Sequence, residues 1–290
     1  MLRDYLKLHF VILLWGFTAV LGKLIALGAT QLVFYRAVMA TGLMVLYLGR
    51  RSRIRRSLAI QMIGNGMLLG LHWVLFFLAV KIANVSICMI GLATVSFWTA
   101  LLEPLMIPKA KMYRVNFVLS GIVIVAVYLI YRTETEFYLG LIVAVVSALL
   151  AAVFSIINGN FSGQADDSVI VMYEMGGVAL FCSGVAALGP LFGQTVFGDR
   201  VLPTIQEWLW FAILVLACTI LAYQIYVELL KRMSVFTINF ANNLEPVYGI
   251  VLGAIFFGDH ERVGPGFYWG TTLILLAVIA QPWLVRRFPK

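Results

Sequence analysis

Ten apolar runs, at 8–27, 31–49, 58–80, 85–107, 113–131, 138–161, 168–190, 207–229, 235–257 and 266–285, occupy this chain almost end to end. Each is close to the roughly 20 residues that a helix needs to cross a bilayer. Backbone polar groups find no partners in lipid, so such runs are confined to helices that satisfy their own hydrogen bonds. The longest connector, 191–206, leaves no room for a separate soluble domain. The chain is 62% hydrophobic and 12% charged, with mean hydropathy +0.99, whereas soluble domains run about half apolar and a quarter charged. The expectation is an all-α membrane protein with ten transmembrane helices. The first run lacks the short core and small-residue cleavage site of a signal peptide.

A net charge of +8 invites a nucleic-acid reading, but its distribution argues against one. With the N-terminus in the cytoplasm, inner segments hold Arg3, Lys7, Arg50, Arg51, Arg53, Arg55, Arg56, Lys109, Lys111, Arg114, Lys231, Arg232, Arg286, Arg287 and Lys290. Outer loops hold only Lys81, Arg132, Arg200 and Arg262. That asymmetry predicts both termini in the cytoplasm. The cluster Arg50–Arg56 reads first as an orientation signal, with an anionic-lipid patch as the alternative. Cys88, Cys182 and Cys218 sit inside apolar runs, and His9, His72 and His260 are scattered. No metal, cofactor or catalytic set is expected, and the chain does not read as an enzyme.

Two halves overlay, 1–132 and 133–290. Val33-Phe34-Tyr35-Arg36 matches Val171-Met172-Tyr173-Glu174, and Phe76–Lys81 matches Tyr226–Lys231. The second offset places Ser96 against Pro246. Five spans is an odd number, so the second half must be inverted relative to the first. Secondary transporters use that plan, with their sites at the repeat interface.

The polar content of the ninth run stands out. Asn239, Asn242, Asn243, Pro246, Gly249 and Gly253 share a helical side, flanked by Glu245. Pro246 has no N–H, which should kink the helix and free the Asn242 carbonyl to bond something else. Polar groups at mid-bilayer depth are tolerated only against protein or a wet cavity. Glu245 is too far from either end to reach an interface and is the first candidate for a proton-carrying or substrate-binding group. In the fourth run Cys88, Ser96, Thr99 and Glu103 share a face, so the fourth and ninth runs should oppose each other. Glu103 lies near the inner end, where an interfacial acid is the plainer reading.

Arg36 and Glu174 are equivalent by the repeat, yet an ion pair between them is not expected. They enter from opposite sides, about 15 Å apart in depth at 1.5 Å per residue. Snorkelling to the surface is the expectation for both, or an outer basic rim of Arg36 with Lys23. Asn65, His72 and Phe76 of the third run, with Thr219, Tyr223 and Tyr226 of the eighth, should complete a cavity wall. Trp15, Trp73, Trp98 and Tyr248 are candidates for stacking on a ligand. Asn158, near the end of the sixth run, reads as interfacial.

Trp15-Gly16-Phe17-Thr18, Arg36, and Pro246 followed by Phe257-Gly258-Asp259 resemble EamA-type members of the drug/metabolite transporter superfamily. Leu102-Glu103-Pro104 and Asn243–Gly249 are similar to a bacterial, Bacteroidetes-like subgroup. Ser96 stands where that family usually has proline. The resemblance implies a multi-pass protein of the bacterial inner membrane, whose partners are the lipid bilayer and a small-molecule substrate rather than nucleic acid. It implies alternating-access transport of a small metabolite, an amino acid or related compound, in the outward direction, with protons as an optional coupling partner. Helices three, four, eight and nine should line the route with parts of one and six, while five and ten lie outside. The alternatives are an uncoupled facilitative exporter, a drug efflux protein, a channel, or a membrane-embedded enzyme.

Overall fold

A computed structural model of the chain describes residues 2–107, 114–133, 135–192, 197, 200–257 and 265–287. Lys109, Lys111, Gly258, Asp259, His260, Arg262 and Lys290 lie outside the described residues. The helices are α1 (Leu2–Leu24), α2 (Ala29–Leu48), α3 (Arg56–Ile82), α4 (Val85–Ala93), α5 (Val95–Met106), α6 (Arg114–Thr133) and α7 (Tyr138–Phe161). They continue with α8 (Asp167–Leu188), α9 (Ile205–Val215), α10 (Ala222–Leu230), α11 (Val235–Ala241), α12 (Glu245–Phe257) and α13 (Pro265–Arg287). Among the described residues, 8 helices are long and apolar enough to cross a membrane. Shorter apolar stretches, Arg114–Leu129 and Tyr268–Gln281, lie within α6 and α13. Leu46, Leu105, Ile205, Trp269 and Ile279 are all at least 70% exposed. An outer surface this apolar suits lipid rather than water.

Side chains start several of these helices. Asn84 accepts from the Ile87 N–H at 2.8 Å, Asp166 from Ser168 at 2.9 Å, and Ser234 from Thr237 at 3.1 Å. Thr204 and Glu207 form a reciprocal capping box at the start of α9. Each cap supplies an acceptor for an N–H that the first turn leaves unpaired.

Three apolar runs contain interruptions. Thr94 separates α4 from α5, and its hydroxyl bonds back to the Gly91 carbonyl at 2.8 Å. A π segment, Leu216–Leu221, joins α9 to α10, with the Thr219 hydroxyl donating to the Leu214 carbonyl at 2.7 Å. A 3-10 turn, Asn242–Leu244, joins α11 to α12. The sequence correctly places a break beside Pro246, but the carbonyl of Asn242 is not left open. The Glu245 N–H bonds to it, closing a tighter turn, and α12 restarts with the proline in its first turn, where its missing donor costs little.

The packing brings the breaks together. α3 lies along α7 and α8, α2 along α8, and α1 along α10 and α12, while α12 also meets α4 and α5 meets α11. At the α3–α8 crossing a Cβ on Gly66 would sit 2.1 Å from the Glu174 carbonyl oxygen, and one on Gly177 would sit 2.1 Å from that of Ile63. Only glycine permits that approach. α6 and α13 pack on each other and share a smaller core with α4, α5 and α11.

Candidate functional site

Where α1, α2, α3, α4, α5, α7, the π segment, α10 and the α11–α12 break converge they line a partly open cavity of about 100 Å³. Pockets for drug-sized ligands have volumes of about 300–1,000 Å³, so this space suits a molecule of few heavy atoms. Its walls are mostly apolar, with Trp15, Trp73, Phe76, Leu92 and Phe154, and a set of polar groups converges within them. The Tyr226 ring packs against Trp15 at 5.3 Å and is stacked on Tyr223 at 5.7 Å.

Arg36 enters from α2. It is 2% exposed, so it neither snorkels nor forms a surface rim. The physical reason is that partners inside the fold replace water. Its Nε donates to Thr219 Oγ1 at 2.7 Å, Nη2 donates to the Cys218 carbonyl at 3.3 Å, and the guanidinium lies 3.7 Å from the Trp73 ring centre. The π segment of α9–α10 is what turns these oxygens toward it. Nη1 is buried and makes no hydrogen bond. Lys23 lies instead over the Phe257 ring at 4.2 Å.

Glu245, 7% exposed at the start of α12, lines the same cavity. No hydrogen bond or ion pair engages its carboxylate among the described residues. Asn242 also lines the cavity, with a buried Oδ1 that accepts nothing. His72 is oriented from behind: Nδ1 lies 2.9 Å from the Ser147 carbonyl, whose serine hydroxyl donates to the His72 carbonyl at 2.8 Å. A bond to that carbonyl requires the proton on Nδ1 and leaves Nε2 for the cavity.

The opposing fourth and ninth runs meet through side-chain amides. Asn239 donates to Thr99 Oγ1 at 2.9 Å, and Asn243 donates to Ser96 Oγ at 3.0 Å. Asn239 borders the cavity, whereas Asn243, Ser96 and Thr99 do not. Glu103 is partly exposed and away from it. Trp98 packs on Phe97, and Tyr248 reaches His9 at 3.4 Å, so neither is in the wall. Gly249 approaches α1 at Gly16, where a Cβ would meet its N–H nitrogen at 3.1 Å.

A second polar cluster stands behind Tyr223. Glu174, fully buried, accepts from Asn65 Nδ2 at 2.6 Å, from Asn158 Nδ2 at 3.2 Å and from the Tyr223 hydroxyl. Asn158 Nδ2 also donates to Tyr223 at 2.6 Å. Asn65 therefore belongs to this cluster rather than to the cavity wall, and Asn158 and Glu174 are interior, not interfacial. Position along the run misplaces both, because helix ends here are covered by neighbouring helices. Arg36 and Glu174 do not pair, each having other partners.

Residues 138–280 match the EamA-like transporter family, a family of the drug/metabolite transporter superfamily. Solved structures agree in shape, with 20 chains matching. One crystal structure aligns over 99% of this chain and 99% of its own, with a TM-score of 0.71 and 17% identity, a likeness of fold alone. No curated protein sequence matches.

Proposed function

Because the chain is an EamA-family membrane transporter, we propose that it moves a small zwitterionic metabolite of the amino-acid kind across the bacterial inner membrane by alternating access, in the outward direction. The observation that carries this reading is the pair of opposite charges, Arg36 and Glu245, that line one small cavity without pairing with each other. Burying an ion without a counter-ion costs several kcal/mol, and a ligand with a carboxylate for Arg36 and an ammonium for Glu245 supplies both counter-ions. The aromatic walls then cover the apolar remainder, and Asn242 and His72 add polar side chains to the same lining.

The architecture in this reading is ten spans in two inverted repeats, 1–132 and 133–290, with both termini cytoplasmic. Packing supports it, since exchanging the halves maps α2 on α8, α4–α5 on α11–α12, and α6 on α13, and each of these pairs is in contact. The offset that sets Ser96 against Pro246 also sets Thr94 against Leu244, so the two helix breaks fall at equivalent places. Paired interrupted helices at the midplane are where transporters of this plan hold their cargo.

The test is exchange of radiolabelled L-alanine by liposomes containing the protein, with unlabelled competitors. L-alanine should compete, while ethylamine and propionate, each carrying one of the two charges, should not. Arg36→Gln should lose exchange. Equal competition by either single-charge compound would rule out zwitterion recognition.

A further inference from the structure

We propose that Glu174 is a proton-binding site separate from the substrate cavity and connected to it through Tyr223; its role in coupling rests on the transport reading above. Glu174 does not line the cavity, and of its hydrogen-bond partners among the described residues Tyr223 alone does.

The cluster has more acceptors than hydrogens. Asn65 Nδ2 and Asn158 Nδ2 already donate to Glu174, to the Phe154 carbonyl at 3.4 Å and to Tyr223. Asn65 Oδ1 and Asn158 Oδ1, by contrast, are buried and receive nothing. Their residues are 4% and 0% exposed, so water does not reach them from outside the protein. Buried polar atoms are almost always paired, so the cluster is short of donors and holds no spare one to compensate the carboxylate further. The charge is also isolated. α3 and α7 present only the two asparagines to Glu174, and α10 presents Tyr223 and Tyr226. The charged residue within α2, Arg36, is turned to Cys218 and Thr219. No cation balances the carboxylate among the described residues, and the glycine crossing of α3 on α8 leaves none room to enter from that side.

Tyr223 supplies the route. Its hydroxyl now donates to Glu174 Oε2 and accepts from Asn158. An acid on the cavity side gives a proton to the tyrosine oxygen as the tyrosine O–H breaks and its proton passes to Glu174 Oε2. One O–H bond forms on the carboxyl, the tyrosine stays neutral, and the site changes from −1 to neutral. The carboxylic acid can then donate back to the tyrosine oxygen, and the new tyrosine O–H points to the cavity. The carboxyl is bonded in both states, so the cluster can load and release a proton without rearranging its helices. Intramembrane carboxyls with hydroxyl partners serve as proton relays for this reason.

The first arm of the test needs no substrate. An infrared difference spectrum between acidic and alkaline pH, on the full-length protein in liposomes, should contain a carboxylic-acid C=O component that disappears in Glu174→Gln. That component should shift in Tyr223→Phe, a variant that keeps the ring and removes the hydroxyl. Identical difference spectra for wild type and Glu174→Gln, or no shift in Tyr223→Phe, would overturn the site. The second arm compares L-alanine exchange with L-alanine accumulation driven by a pH gradient. Glu174→Gln should lose driven accumulation while still exchanging; undiminished driven accumulation would overturn the coupling role. If the wild type moves no L-alanine at all, the zwitterion reading fails, and the infrared arm alone decides on Glu174.

Discussion

At the scale of residues, the structure divides a set of polar side chains that look alike in sequence. Asn239, Asn242 and Asn243 sit within five positions of one run, yet their surroundings differ. Asn239 bonds Thr99 and borders the cavity, Asn242 lines the cavity with its Oδ1 buried and unpaired, and Asn243 is sealed against Ser96. Asn243→Ala should therefore lower thermal stability in detergent by about 1 kcal/mol, the worth of one buried hydrogen bond, while L-alanine exchange continues. Asn239→Ala should show a similar loss of stability together with weaker exchange. Equal effects of the two on exchange would contradict this division. Helical periodicity predicts the shared face, but not which residue meets the opposite helix. The 3-10 turn changes the angular step where it matters. Arg36 is misread for a related reason. Its partners, Thr219 and the Cys218 carbonyl, are created by a π segment that no residue in Leu216–Leu221 announces.

Among elements, glycine placement decides which helices cross closely. Gly64 and Gly66 lie two residues apart in α3, but a Cβ at Gly64 meets nothing within 4 Å, while one at Gly66 lies 2.1 Å from backbone of α8. Gly64→Ala should be neutral or stabilising by about 0.5–1 kcal/mol, since alanine costs less helix entropy than glycine. Gly66→Ala should be destabilising by roughly 1–3 kcal/mol or more, because α8 cannot yield without moving Glu174. Thermal unfolding of the two variants in the same detergent measures both, and equal stability would contradict the crossing. The apolar runs were legible because the bilayer imposes a length on them. The break at 242–244 was legible through Pro246. The break at Thr94 was not, since threonine is compatible with a continuous helix and only the repeat offset points to it. The staple at Glu207 also went unread. Its bonds from Thr204 and Arg200 are local, but the one from the Ala26 N–H at 2.8 Å spans a separation in sequence that no local pattern reveals.

For the whole molecule, the cavity lies between two sets of ties. At one end α1 is held to α10 by Lys7–Glu228 at 2.7 Å and to the turn after α10 by Asp4–Arg232 at 3.2 Å, with Lys231–Asp167 at 2.6 Å joining that turn to the start of α8. At the other end Glu207 binds the α1–α2 connection at Ala26. Partly exposed ion pairs contribute about 0–1 kcal/mol each and a hydrogen bond to a charged group about 1.5–3 kcal/mol, so each set can open at a cost of a few kcal/mol while the glycine-packed crossings stay intact. That inequality is what alternating access requires of a rigid scaffold. The most direct test replaces Asn242 with cysteine in a chain whose three native cysteines are changed to alanine. A membrane-impermeant thiol reagent is then applied from each side of the bilayer. The account predicts labelling from either side, with L-alanine changing the two rates in opposite directions. Labelling from neither side, or equal protection of both, would contradict a central site that opens alternately.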